Sequence, residues 1–482
     1  MIQAEPVKRV GLDDLHKKPT DLKTAIENSD GEGFIGAFIQ NQSFSTTDAE
    51  GNTLLHFAAK RGNRLMVRAI CSFSNHLELW KRKNSEGKLP KDVTDDPSIR
   101  RDLMSLESAR PLAQNHHTKF NKQLVEKRIK EPRNENLKVL LSMDGGGLRA
   151  IIQSMFLVEM EKELGRPIYE HVHWIGGTSC GGINAATLAC GIGLIDAQKI
   201  FLTSRRRIFC GNTSMFPKHD PRGIEKILKD LFGTKTPISN ITAHKIMVTT
   251  AKVQSAPPLL YLFRSYAPRI TNKEFEQLGY LDPSKILLWK AIRCTSAAPL
   301  YFSSFNGMAD GAIFCNNPCI ALMTEFFKLK KIENHRGIKN NDEIGCVISI
   351  GTGIEPVVPL NGIDINVNNA FSFGGNFREI MASGKNLITM FLYQCTTSHN
   401  VNVGQSREWA HSINVPFFRF SPKLSKCFEL DNVNPEIMFN SMFETLIYVN
   451  QIKPEIVDLC RLLKALPKNE QSCDYLKITK NE

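Results

Sequence analysis

Residues 177–181 read Gly177-Thr178-Ser179-Cys180-Gly181, a serine between two glycines. The run His173-Trp174-Ile175-Gly176 precedes them, and the small-residue stretch from Gly182 to Cys190 follows. This order is the pattern of a strand passing through a tight turn into a helix. The glycines let the backbone bend sharply and let a second chain segment come close. A helix N-terminus behind the turn favours negative charge near the serine oxygen. Serine is a weak nucleophile until a positioned base takes its proton, so the chemistry of this turn depends on what surrounds it.

Working outward, Asp144-Gly145-Gly146-Gly147-Leu148-Arg149 follows the apolar run Val139–Met143. Three glycines at a strand end expose backbone N–H groups, which suits an oxyanion hole. It also suits a phosphate, although Ala150 leaves the nucleotide pattern G-x-G-x-x-G incomplete. Arg149 is a candidate ligand for a substrate phosphate or one half of a surface ion pair. Leu148–Leu164 reads as an amphipathic helix. The third element is Met308-Ala309-Asp310-Gly311-Ala312, followed by Asn316-Asn317-Pro318. Two successive strand–glycine turn–helix units predict an α/β domain with a mainly parallel sheet. Further strands are expected at Lys245–Val253, Leu259–Phe263 and Cys346–Ile350, with a charged loop from Lys328 to Glu343.

The N-terminal part differs. Residues 48–63, DAEGNTLLHFAAKRGN, place Gly51, Thr53, Leu55, His56, Ala58, Ala59 and Gly62 as an ankyrin repeat does. A second start at Asn84–Pro90 has its glycine 36 residues on (87 − 51), near the ankyrin period of about 33. Leu22–Gln40 is a degenerate candidate. The N-terminus therefore resembles a short ankyrin stack of about two repeats, expected to lean on the next domain, with His56 as a packing residue. The resulting division is residues 1–110 for the all-α repeat region, 111–136 for a basic polar linker or helix, 137–466 for the α/β domain and 467–482 for a polar tail.

The chain has 482 residues and a formal charge of +12, from 61 basic and 49 acidic side chains. That balance favours anionic partners, but no nucleic-acid-binding motif accompanies it. The twelve cysteines form no C-x-x-C pair and no Cys/His pattern at zinc spacing, as expected of reduced intracellular thiols. No apolar run approaches the roughly 20 residues that span a bilayer. The expected location is cytoplasmic, with peripheral membrane contact.

The ordered set DGGGLRA, GTSCGG and ADGA…NNP resembles the patatin-like phospholipase family. Leu288–Pro299, Phe263-Arg264-Ser265-Tyr266 and Ser349-Ile350-Gly351-Thr352-Gly353 are similar to family segments too. With ankyrin repeats in front, the chain is similar to the animal calcium-independent phospholipases A2 of group VI. The resemblance implies a three-layer α/β/α domain and a Ser–Asp dyad. Ser179 matches the nucleophile, Asp310 the general base, and Gly145, Gly146 and Gly147 the oxyanion loop beside Arg149. Gly177, Gly181 and Gly311 match motif glycines. It implies no metal or cofactor, and the sequence has no EF-hand loop of the D-x-D-x-D-G type. It also implies a phospholipid surface as partner, with a homodimer and an ankyrin-bound protein as further candidates. Cys180 stands where the family has threonine, at a position that need not react.

Two rivals remain at this level. A conventional Ser–Asp–His triad needs a histidine after the acid, and His335, His399 and His411 follow Asp310. A non-enzymatic ankyrin adaptor would carry an inactive domain, although all three motifs are intact. Phe302, Phe305 and Met308 are expected at the lipid mouth or in the core.

Overall fold

The structure is a computed structural model describing residues 20–209, 217–268, 270–357, 377–399 and 401–470. Four short helices come first: α1 (Leu22–Glu27), α2 (Gly31–Ile39), α3 (Leu54–Lys60) and α4 (Arg64–Phe73), then α5 (Pro97–Glu107) and α6 (His116–Lys130). The α/β domain follows as β1 (Leu137–Met143), α7 (Ala150–Leu164), β2 (Trp174–Gly177), α8 (Cys180–Ala189), α9 (Leu194–Ile208) and α10 (Pro221–Phe232). Then come β3 (Lys245–Lys252), β4 (Leu259–Arg264), α11 (Asn272–Gln277), α12 (Leu288–Thr295), β5 (Met308–Asp310), α13 (Ala312–Cys315), α14 (Cys319–His335) and β6 (Glu343–Ile350). It closes with α15 (Phe377–Thr396), α16 (Val401–Ser412), β7 (Phe417–Phe420), α17 (Pro435–Gln451) and α18 (Lys453–Ala465).

The strands form one sheet in the order β4-β3-β2-β1-β6-β7, with β5 also against β3. β1, β2, β3, β6 and β7 are mutually parallel, while β4 and β5 run antiparallel to β3. Parallel strands covered on both faces read as near-continuous apolar runs, and β1 is buried at every residue but Lys138. Alternate side chains divide the core. Val139, Leu141, Ile175, Val248 and Ile348 face α7, α8, α12, α17 and α18. Leu140, Trp174, Met247 and Val347 face α14 and α16. The layering is helix, sheet, helix.

The register positions the site. Met143 pairs with both Gly177 and Ile350, so β1, β2 and β6 end level. From β1 the chain moves to β2 on one side, whereas β6 moves to β7 on the other. The boundary between β1 and β6 is therefore the topological switch point, where doubly wound sheets leave a crevice beyond their carboxyl ends. The loops after all three strands open there.

Several expectations change. Residues 328–335 are not loop but the last two turns of α14, because Phe326, Leu329 and Ile332 continue its inward face. Helix α7 is not amphipathic but buried nearly all round, because α9, α17 and α18 cover its outer side. Residues 111–136, expected as a polar linker or helix, contain α6, and its Asn121, Leu124 and Val125 are buried, so the segment packs on the domain rather than merely preceding it. Its Asn121 Oδ1 accepts from the Phe417 N–H at 2.7 Å, tying α6 to the start of β7. The expected tail begins with an anchored residue. Asn469 is buried and donates to the carbonyls of Val172 and Ala243; residues 471–482 lie outside the described residues.

The N-terminal helices pair as α1/α2 and α3/α4 and share the core of the α/β domain. Phe439 of α17 meets Phe34 and Phe73 edge-on, with centroids 5.6 and 5.7 Å apart. Thr53 caps α3, and its hydroxyl meets His56 Nδ1 at 2.9 Å. His56 Nε2 reaches the Lys88 carbonyl at 3.0 Å, joining two successive turns. These bonds account for the burial of His56.

Candidate active site

Ser179 occupies the turn between β2 and α8 with φ +55° and ψ −126°. A non-glycine residue with positive φ is strained, and such strain persists only where surrounding structure over-determines it. Three hydrogen bonds hold the turn. The Ser179 N–H donates to Thr295 Oγ1 at 2.9 Å. Thr178 Oγ1 donates to the Cys315 carbonyl at 3.0 Å and meets Thr249 Oγ1 at 2.7 Å. Both motif glycines are required by contact. A Cβ on Gly177 would come within 2.5 Å of the Gly181 carbonyl oxygen, and one on Gly181 within 2.3 Å of that of Met143.

Asp310 reaches Ser179 because β5 pairs with β3, setting Asp310 opposite Thr250. Its carboxyl accepts from the Ser179 hydroxyl and, at 2.9 Å, from the Ala312 N–H. It is only 2 % exposed. Burial pushes its pKa from 3.8 up to about 7, and the two hydrogen bonds hold it from going higher. A Cβ on Gly311 would strike Thr249, so glycine is needed after the aspartate.

Among the described residues no histidine bonds the Asp310 carboxyl. His335 closes α14, His399 is exposed, and His411 lies on α16 against Phe120. Among the described residues none of the three completes a triad with Asp310.

The glycine loop is held by Asn317 and Thr352 from two of the quoted segments and by Arg419, Gln153 and Ser398, which no motif marks. Asp144 is fully buried, with Oδ1 accepting from Asn317 Nδ2 at 2.7 Å and Arg419 Nη1 at 3.0 Å, and Oδ2 from Arg419 Nη2 at 2.6 Å. Arg419 also donates to Ser349 Oγ and the Ser398 carbonyl. Gln153 Nε2 donates to the Asp144 carbonyl from below. The Gly145 carbonyl accepts from Thr352 Oγ1 at 2.8 Å, and Thr352 in turn meets Ser398 Oγ.

The three glycines are not equivalent donors, as the sequence had suggested. The Gly145 N–H is engaged by the Asn316 carbonyl at 3.1 Å. The Gly147 N–H meets the Cys180 sulfur. Gly146 alone donates to no acceptor among the described residues, and neither does the Cys180 N–H at the start of α8. The sequence does not mark that second donor, because a backbone N–H carries no signature of its own. The thiol itself is buried and pushed up to about 12, mainly by desolvation.

Arg149 is enclosed in the protein rather than offered to a substrate phosphate or to a surface ion pair. It is 1 % exposed and its guanidinium is enclosed. Nη1 meets Glu355 Oε2 at 2.5 Å, Nη2 donates to the Thr396 carbonyl at 3.0 Å, and Nε to the Gly146 carbonyl at 3.3 Å. It braces the glycine loop from behind and presents no free face to a phosphate.

A pocket opens from Ser179 between α8, α9 and α10, enclosing about 850 Å³ of non-atom space, open solvent included. Its walls are mainly apolar, among them Ile183, Ile200, Ile227, Leu231 and Phe302. Gly147 and Leu430 lie at the serine end. Phe302 is buried and lines this pocket, whereas Phe305 and Met308 pack half-buried against the core. The expected trio therefore does not form one patch.

The family model described as patatin-like phospholipase matches residues 141–323. The chain is 32% identical over 327 residues to the intracellular phospholipase A2 of Caenorhabditis elegans, covering 67% of this chain and 29% of that protein. It is 26% identical over 380 residues to the 85/88 kDa calcium-independent phospholipase A2 of Mus musculus, covering 77% of this chain and 46% of that protein. To the calcium-independent phospholipase A2-gamma of Homo sapiens it is 24% identical over 361 residues, covering 70% and 42%. These matches thus span less than half the length of each of those relatives. With the level strand ends, the serine turn and the buried aspartate on β5, they place the chain in the patatin-like phospholipase family.

Proposed function

We propose that this chain is a lipid acyl hydrolase of the phospholipase A2 type. The observation that carries the proposal is a strained serine, hydrogen-bonded to a buried aspartate, at the end of an apolar pocket. The acyl chain occupies the pocket, and its ester carbonyl lies over Ser179 Oγ. Asp310, ionised, takes the Ser179 proton as Oγ attacks the carbonyl carbon. The negative charge that develops on the carbonyl oxygen meets the Gly146 and Cys180 N–H groups and the N-terminus of α8. The tetrahedral intermediate collapses, a lysophospholipid leaves with the proton from Asp310, and an acyl-Ser179 ester remains. Asp310 then takes a proton from water as its oxygen attacks the ester carbon, and returns that proton to Ser179 Oγ as the acyl–Oγ bond breaks and the fatty acid leaves.

Names of the relatives support calcium independence, as does the donor set, which consists of backbone N–H groups. The lipid surface is the expected partner. The charge of +12 favours an anionic one, and no helix among the described residues is long and apolar enough to cross a membrane. We read α1–α4 as ankyrin-type pairs on the strength of the Thr53–His56–Lys88 bonds, docked on α17 rather than standing alone. The test is fatty-acid release from phosphatidylcholine vesicles with a calcium chelator present. Wild type should turn over and Ser179→Ala should not. Dependence on calcium, or turnover surviving in the variant, would overturn the proposal.

A further inference from the structure

Away from Ser179, helices α6 and α16 bring two histidines and a glutamate together. His117 lies on α6, and Glu408 and His411 lie three residues apart, on one face of α16. One ligand atom from each lies within 4.8 Å of the others. His117 Nδ1 is already 3.6 Å from Glu408 Oε1. His411 is 9 % exposed, and its Nε2 is buried with no hydrogen-bond partner. A buried imidazole nitrogen without a partner is costly to leave unmade, and a bound cation would satisfy it.

We propose that His117, Glu408 and His411 form a binding site for a zinc-class divalent ion. Two imidazoles and one carboxylate are a common three-ligand set for zinc, with water in the fourth position. Calcium and magnesium demand oxygen ligands, so the site is compatible with calcium-independent chemistry at Ser179 and is separate from it. Bonds of about 2.0–2.1 Å require ligand atoms roughly 3.4 Å apart, so the widest separation in the cluster must contract by up to about 1.4 Å. The freedom is there: Glu408 is 62 % exposed and His117 sits half-buried on an outer helix. Arg407 bonds Glu408 Oε1 at 3.2 Å and is the adjacent charge opposing a cation. That bond also orients the carboxylate, as outer partners of metal ligands do.

The placement gives the ion a consequence. It would pin α6, which precedes the sheet, to α16, which follows Ser398. Ser398 gives its carbonyl to Arg419 and its hydroxyl to Thr352, two braces of the glycine loop.

The test uses the full chain, stripped with chelator and titrated with Zn²⁺ against a chromophoric competitor. One equivalent should bind, with affinity falling at least about 10-fold in His117→Ala, whose side chain is not needed for the core. His411→Ala should behave likewise. Co²⁺ bound to wild type provides a readout free of folding effects: visible bands of a nitrogen/oxygen site support the proposal. Absence of stoichiometric binding, unchanged affinity in both variants, or a cobalt–thiolate charge-transfer band from the cysteines would overturn it.

Discussion

The two sides of Ser179 are built by opposite means. On one side, the glycine loop and Asp310 are fixed by hydrogen bonds and ion pairs converging from β1, α13, β6, α15 and β7. On the other, the pocket between α8, α9 and α10 is held open by the packing of Ile200, Ile227, Leu231 and Phe302. Charge developing on a carbonyl oxygen must meet donors already in place, so the polar side is over-determined. An alkyl chain asks only for volume and freedom from water, so the apolar side needs no motif.

The largest test removes the reacting groups from the polar side. Asp310→Asn should lower kcat by about 10²- to 10⁴-fold, and Ser179→Ala by at least as much, with far-UV circular dichroism unchanged. Single-turnover ester hydrolysis measures both. If Asp310→Asn turned over normally while His335→Ala, His399→Ala or His411→Ala did not, the polar side would have a different base.

Next in size is the buried brace. Asp144→Ala leaves Arg419 enclosed without its carboxylate, which should cost about 3–5 kcal/mol in urea unfolding. A loss under 1 kcal/mol would show that the loop is held by its neighbours alone.

The ionisation of Asp310 separates catalysis from stability. Its folded pKa of about 7 lies above the ordinary 3.8, so folding favours the neutral form. The stabilisation from this group is therefore fully present below pH 4 and is lost as pH rises through 7, by up to about 4 kcal/mol. Turnover follows the ionised base and should rise through the same range, half-maximal near pH 7. In urea melts, Asp310→Asn should exceed wild type at pH 8 and converge with it near pH 4. A wild type whose stability does not fall between pH 4 and 8 relative to this variant would contradict the buried, raised carboxyl.

The same contrast explains what could be read from the sequence. The serine turn, the glycine loop and Asp310 lie in short local motifs, and the buried strands are near-continuous apolar runs. Their partners are remote: Arg419 is 275 residues from Asp144 and Asn317 is 173. No spacing rule connects them. Arg149 misled because it lies beside the loop it braces, and only the fold shows Glu355 arriving to enclose it. The lysines of residues 328–331 hid the end of α14 by masking the inward series Phe326, Leu329 and Ile332. The pocket residues look like any helix core, and His117 and His411 are brought together only by the packing of α6 on the sheet edge.

The apolar side is broken most gently, by changing its depth. Leu231 lies on α10 among the pocket walls, with Ile227 one turn before it. Leu231→Trp adds volume where an alkyl tail would run, leaving Ser179, Asp310 and the loop untouched. The expected result is a change in selectivity. Short acyl esters should keep kcat/KM within about 3-fold, while long ones lose at least about 10-fold, the range that a few misfitting methylenes produce. A chain-length series of p-nitrophenyl esters measures the ratio. If long and short esters fell together, the substitution would have disturbed the polar side through α8, and the two sides would be one mechanical unit. If neither fell, the acyl chain would lie elsewhere and the pocket would not belong to the reaction.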